Sequence, residues 1–232
     1  MASDSKDKTD EFIESTGAKY AYAYGTGKLF KDVGATGYPL ILLVDSGGTI
    51  LFQGDASKLD ESLIAKAVET ALTVPLYEWP DDLRKAASSL RKGDLGRALT
   101  EVEDAGETHA KIAGSLQGMI EGRLTAVRRA ADAGDWLAVK TLGDALTGAI
   151  EGRPEVDVVE ALLARLKEDD AKDILKAQEQ IAKIFERDIK AKQFETLQKK
   201  IDRIAEDFPA ESVVRRDAEH AHKRLREICG KT

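Results

Sequence analysis

The pattern of apolar and polar positions changes character once along this chain. Up to about Leu72, short segments alternate between two periods. Asp7 to Thr16 sets Phe12 and Ile13 on one side of a polar stretch that stops at Gly17, which predicts a short helix. AKYAYAYG spaces Tyr20, Tyr22 and Tyr24 by two, the period of a strand. Lys28 to Val33 predicts a turn or two of helix closed by Gly34. Leu40 to Val44 is continuously apolar, as in a strand covered on both faces. Asp45-Ser46-Gly47-Gly48 then supplies turn chemistry before a second strand at Thr49 to Gln53. Leu63, Ile64, Ala67, Val68 and Leu72 recur at amphipathic spacing and predict a helix over 59–72.

Past the connector PLYEWP (Pro75–Pro80) the pattern is helical throughout. It predicts helices over 81–92, 94–105, 107–132, 135–151, 155–168, 171–191, 193–207 and 210–228. Gly93, Gly106, Gly134 and Gly152 fall at their stops, and Pro154 and Pro209 near their starts. The acidic pairs Asp81-Asp82 and Asp169-Asp170 fall at helix starts and read as caps. The expected class is α+β, predominantly α: residues 1–75 form an α/β portion and residues 76–232 a helical-hairpin domain.

A loose internal similarity runs through the second region. RKGDLGRALTEVE, DAGDWLAVKTLGDAL and KAKQFETLQKKIDRI each set a short polar turn before Leu95, Trp136 or Phe194 and then an amphipathic helix. The spacing between the turns is unequal, whereas true arrays keep a fixed period. The units are similar to tetratricopeptide repeats, the last with an aromatic opening the helix and Phe208-Pro209 closing it. A regular solenoid and an irregular bundle of helical hairpins both remain open at this level.

The first region carries a second resemblance. Val33-Gly34-Ala35-Thr36-Gly37-Tyr38-Pro39, then the apolar strand, Asp45, the glycine turn, the second strand and Gly54, closely resembles the C-terminal half of thioredoxin-like redoxins of the thiol–disulfide oxidoreductase type. The likeness spans about Ser3 to Leu72. It implies a cis-Pro39 and a peptide-binding wall at Tyr38 and Pro39, where the residue before the proline offers backbone hydrogen bonds to a bound peptide. In that family a strand, a C-x-x-C helix and a further strand precede this half, and none of them is in this sequence. Without a thiolate there is no nucleophile for disulfide exchange, so the resemblance implies a fold without that chemistry in this chain alone. It also leaves Leu40–Val44 as an apolar edge. The Tyr20–Tyr24 strand, helices of the same chain, or a second chain in a homo-oligomer would have to cover it.

Composition narrows the candidate chemistry. A single cysteine, Cys229, excludes an intrachain disulfide and a Cys-rich metal site. Its neighbours Arg224 and Arg226 favour a thiolate, but a helix C-terminus opposes one, so an incidental thiol beside a frayed end is expected. His220 and His222 are two apart, pointing about 200° from each other on a helix, and His109 stands alone, so no metal or other cofactor is expected. Net charge is −7, and the last helix mixes Arg215, Arg216, Lys223, Arg224 and Arg226 with Asp217, Glu219 and Glu227. With no interleaved aromatics, that helix does not read as a nucleic-acid surface, and complementing the helix dipole explains its cations. No apolar run reaches the roughly 20 residues of a membrane span, and MASDSKDKTDEF has no apolar core of an export signal. The chain as written therefore reads as soluble and cytoplasmic. Gly114, Gly118 and Gly122 lie four apart on one helix, with Gly148 and Gly152 on the next, which points to close helix packing there. No G-x-S-x-G, H-E-x-x-H or phosphate-loop motif occurs.

Together these readings favour a non-catalytic interaction or scaffold protein whose partner is another protein or a peptide. The alternative is a fragment of a longer, exported oxidoreductase whose C-x-x-C half lies upstream.

Overall fold

In the computed structural model, which describes residues 6–17, 40–45, 50–69, 71–72, 74–187 and 189–230, the chain is predominantly helical with one small antiparallel sheet. The α+β class stands. Helix α1 is Lys6–Thr16, and the hairpin is β1 (Ile41–Val44) with β2 (Ile50–Gly54). Ile41 pairs with Gly54 and Leu43 with Phe52, and the register shifts between Leu43 and Val44. Helix α2 (Glu61–Val68) packs on both strands, with Asp60 capping it by accepting from the Ser62 N–H. It stops short of the expected Leu72, and Leu72 turns instead toward the helical core, with Val74 and Leu76. The expected strand at Tyr20–Tyr24, the helical turn at Lys28–Val33, and Tyr38-Pro39 lie outside the described residues.

The connector is part of the helical core. Trp79 is buried and its indole Nε1 donates to the Val74 carbonyl at 3.1 Å. The helices that follow are α3 (Arg84–Arg91), α4 (Leu95–Asp104), α5 (Ala110–Asp132), α6 (Trp136–Ala149), α7 (Glu155–Ala164), α8 (Asp169–Ala182), α9 (Phe194–Glu206) and α10 (Val213–Cys229). From α3 to α7 each packs on its chain neighbour, α9 packs on α10, α5 also meets α7, α6 meets α8, and α8 meets both α9 and α10. Their lengths are uneven, from 23 residues in α5 to 8 in α3, so the array is irregular. The expected helix over 171–191 ends early. Residues after Ala182 turn, which brings Ile184 and the ring of Phe185 against α9 and α10 in the second core.

Two of the turns share one geometry. Gly93 and Gly134 take φ of +85° and +71°, the left-handed region that favours glycine. The following Asp94 and Asp135 then serve two helices each. Their N–H groups reach back to Ser89 O (3.0 Å) and Ala130 O (2.9 Å), closing α3 and α5. Their carboxylates accept from Arg97 N and Ala138 N, both at 3.0 Å, opening α4 and α6. The third turn is built differently: Gln193 Oε1 accepts from the Lys190 N–H at 2.8 Å, with neither a glycine nor an aspartate.

The acidic pairs lie in first turns but do not make the capping hydrogen bond expected of them. Asp81 pairs with Arg84 at 2.8 Å and Asp82 with His109 at 2.9 Å. At Asp169-Asp170 the cap position belongs to Glu168, whose side chain does not cap, so the pair serves α8 through the dipole alone.

The expected close packing is not found at four of the five spaced glycines. A Cβ added to Gly114, Gly118, Gly148 or Gly152 would meet no heavy atom outside its own surroundings within 4 Å, because these faces look outward. The tight approaches are elsewhere. A Cβ on Gly96 would lie 2.9 Å from Ile150 Cα and 3.1 Å from its carbonyl carbon, because the α6–α7 linker lies directly on α4. At Gly143 it would meet Leu163 Cδ2 at 2.8 Å. The contrast predicts opposite signs. Gly96→Ala should lower stability by about 1–3 kcal/mol, since backbone must move. Gly114→Ala and Gly148→Ala should each raise it by up to about 1 kcal/mol through helix propensity. Urea denaturation of the three variants checks this.

Candidate functional site

Two hydrophobic cores fill the helical region. Leu83, Leu95, Leu99, Leu116, Ile120 and Val139 belong to the first, which extends from Trp79 to Ala171. Ala177, Ile181, Ile201, Val214 and Leu225 belong to the second. Helix α8 is common to both: Ala171 is buried in the first, Ala177 and Ile181 in the second, and Ile174 packs against each. At the boundary stands Gln178, only 4% exposed.

A buried amide is tolerated only when its hydrogen bonds are made, and here they are. Gln178 Oε1 accepts from the Leu137 backbone N–H at 3.1 Å. Its NH2 donates to Asp217 Oδ2 at 2.8 Å and to Asp135 Oδ1 at 3.3 Å. The first turn of α6 therefore has the Ala138 N–H satisfied by its own cap, Asp135, and the Leu137 N–H before it by a side chain from α8. Asp217 brings α10 to the same point. Burial pushes the Asp217 carboxyl above the ordinary aspartate range. The Gln178 hydrogen bond opposes the rise, the charge of Asp135 adds to it, and His220 and Arg216 oppose it more weakly. Alongside, Lys140 of α6 pairs with Glu179 of α8 at 2.9 Å. The hydrogen bond lowers the Glu179 carboxyl, and the same bond raises Lys140.

A cleft of about 260 Å³ opens beside this seam, with Leu137, Ile181, Phe185 and Ala221 as its apolar wall and Asp135, Asp217, His220 and Arg224 around it. Arg224 lies over the Phe185 ring at 4.7 Å and stiffens that wall. The volume falls below the roughly 300–1,000 Å³ of small-molecule sites, so the cleft suits one or two side chains of a partner. A wider groove between α8 and α9 is walled by exposed Lys176, Lys200 and Arg203 with Asp173 and Asp207.

The other residues singled out from sequence fall as follows. Tyr38 and Pro39 lie outside the described residues, so the peptide-binding wall has no geometry here. His220 borders the cleft, while His222 faces α9 with Nε2 3.2 Å from Asp202 Oδ1, so the two diverge as their spacing demands. Among the described residues no three His, Cys, Asp or Glu side chains gather as metal ligands, and no helix is long and apolar enough to cross a membrane. Cys229 is half-buried against the second core at the end of α10. Two of the clustered cations do complement helix ends, but those of neighbours. Arg215 donates to the Phe208 and Glu206 carbonyls at the end of α9 (3.0 and 3.1 Å), and Arg216 reaches Ala133 O at the end of α5 (3.5 Å).

Gln178 was not singled out from sequence. The available signal was a polar residue standing between Ala177 and Ile181 on the apolar face of a predicted helix. In comparisons with protein-family models, curated proteins and solved structures, none matches this chain.

Replacing Gln178 by Leu tests how much the seam depends on it. The change leaves the Leu137 N–H and two carboxylates without their partner, and should cost about 2–4 kcal/mol in a urea titration at neutral pH. Lys140→Ala, which removes only a half-exposed ion pair, should cost under about 1 kcal/mol.

Proposed function

We infer that this chain is a non-catalytic interaction or scaffold protein, with a thioredoxin-like remnant near its N-terminus and a helical-hairpin region that binds another protein. The observation that carries this reading is the seam cleft. Its walls come from three separate parts of the chain: the α5–α6 turn with the start of α6, α8 with the turn that follows it, and α10. Its floor is apolar and its rim carries both signs of charge, the anatomy of a small protein-recognition site. The two Gly-Asp turns support the similarity to helical repeats, which present such clefts between packed hairpins. The partner is a polypeptide segment that seats an apolar side chain on Phe185 and Ile181 and hydrogen-bonds to the carboxylate rim.

A second reading has its own support. A β-hairpin followed by a helix packed on both its strands is the element order that the redoxin resemblance implies for Leu40–Leu72. In that reading the chain is the latter part of a longer oxidoreductase, and Tyr38-Pro39 faces a C-x-x-C segment encoded upstream.

A displayed library of random peptides, selected on the purified chain, distinguishes them. Binders should lose affinity at least tenfold when Phe185 is changed to Ala or Arg224 to Glu, with helical content unchanged by circular dichroism. Binders that ignore both substitutions would remove the cleft from the proposal. A C-x-x-C reading frame directly upstream of Met1 would favour the oxidoreductase reading.

A further inference from the structure

Gln178 holds two carboxylates with one amide group. Each takes one hydrogen of the same NH2, at 2.8 and 3.3 Å. Their accepting oxygens are therefore no more than about 6 Å apart, within the range where like charges resist joint ionisation. The arrangement satisfies hydrogen bonding fully but leaves charge unbalanced at the boundary between two cores.

The groups facing Asp217 are few. The α5–α6 turn contributes Asp135, and α8 contributes the neutral Gln178, with Glu179 already engaged by Lys140. Helix α10 itself contributes Arg216, whose guanidinium reaches Ala133 O, and His220 and Arg224 in the cleft, the latter lying over Phe185. No guanidinium or ammonium forms an ion pair with Asp217 within salt-bridge distance among the described residues, whereas the amide that bridges it to Asp135 is buried.

We propose that the Gln178 clasp is a proton-gated joint between the two helical units, firmer at acidic than at neutral pH. A protonated Asp217 still accepts from Gln178 through its carbonyl oxygen, so the clasp keeps every hydrogen bond while the repulsion from Asp135 disappears. Asp217 binds its proton more tightly in the fold than in the unfolded chain. Its contribution to stability is therefore full below the ordinary aspartate pKa and is lost as pH rises through the higher folded value. Glu155 and Glu179 run the other way. Their carboxyls are lowered in the fold, so their contributions are present at neutral pH and fade on acidification. Total stability therefore mixes both signs, and the joint must be read locally. The clasp acts in the same way whatever partner the cleft takes. It also regulates the cleft, because Asp135, Gln178 and Asp217 are shared by both.

The Leu137 amide is the local reporter, since its hydrogen bond to Gln178 exists only while the clasp is closed. Its exchange protection, corrected for intrinsic pH dependence, is measured by NMR from pH 3.5 to 8. The Val139 amide, which bonds within α6 to Asp135 O at 2.9 Å, serves as control. In the unsubstituted protein, Leu137 protection relative to Val139 should fall about fivefold or more as pH rises, the scale of one hydrogen bond. Asp217→Asn should hold it within about twofold across the range, because the amide oxygen replaces the protonated carboxyl. His220→Gln should leave the pH dependence in place, and Gln178→Ala should remove Leu137 protection at every pH. Equal pH dependence in Asp217→Asn and the unsubstituted protein would overturn the proposal, as would a dependence that vanishes with His220→Gln alone.

Discussion

Helix α8 has to serve two cores at once, and most of the helical architecture follows from how it does so. In 14 residues it presents Ala171 to the core built by α3 to α7 and Ala177 and Ile181 to the core built with α9 and α10. A purely apolar stripe would let the two cores slide along a common surface, since hydrophobic contact is non-directional. The amide of Gln178 is directional. It bonds one backbone N–H in α6 and two carboxylates, one at the end of the α5–α6 turn and one in α10. The register of α8 against both neighbours is thereby set by geometry that apolar packing alone does not supply.

Economy of capping runs through the rest of the helical region. Asp94 and Asp135 each close one helix with an N–H and open the next with a carboxylate, so two helices meet in a turn of a few residues. Arg215 does similar work at the end of α9, where its guanidinium takes two carbonyls that have no intrahelical partner. Because Asp135 also takes part in the Gln178 clasp, the turn that starts α6 is simultaneously the place where the two cores are fastened. The same group thus links local helix formation to long-range packing, and it places the cleft where three elements converge. The proposed recognition role and the proposed pH response both depend on that convergence.

Much of this was legible in the residues. The change from mixed to helical periodicity near Pro75, the hairpin about Asp45, and the boundaries of α3 to α7 within a few residues follow from apolar spacing and from Gly93, Gly106, Gly134 and Gly152. Other features were misread for identifiable reasons. Asp81-Asp82 look like caps, but a 3-10 turn at Asp81–Leu83 shifts the helix start to Arg84 and frees Asp82 for His109. The glycines four apart invite a packing argument, yet Gly114, Gly118, Gly148 and Gly152 look outward, while Gly96, which no spacing marks, carries the backbone of Ile150. The predicted length of α8 failed because Ile184 and Phe185 continue its apolar pattern while folding back into the second core.

By itself, the order of residues determined the class, the number and order of the helices after Pro75, and the two Gly-Asp turns, since these depend on propensities and hydrogen bonds within a few residues. It did not reveal which polar side chain would be buried. Asp135 lies 43 residues before Gln178 and Asp217 39 residues after it, and each is an ordinary helix or turn residue in its own segment. Only the packing of α8 between two cores brings them together, removes them from water and makes their hydrogen bonds obligatory.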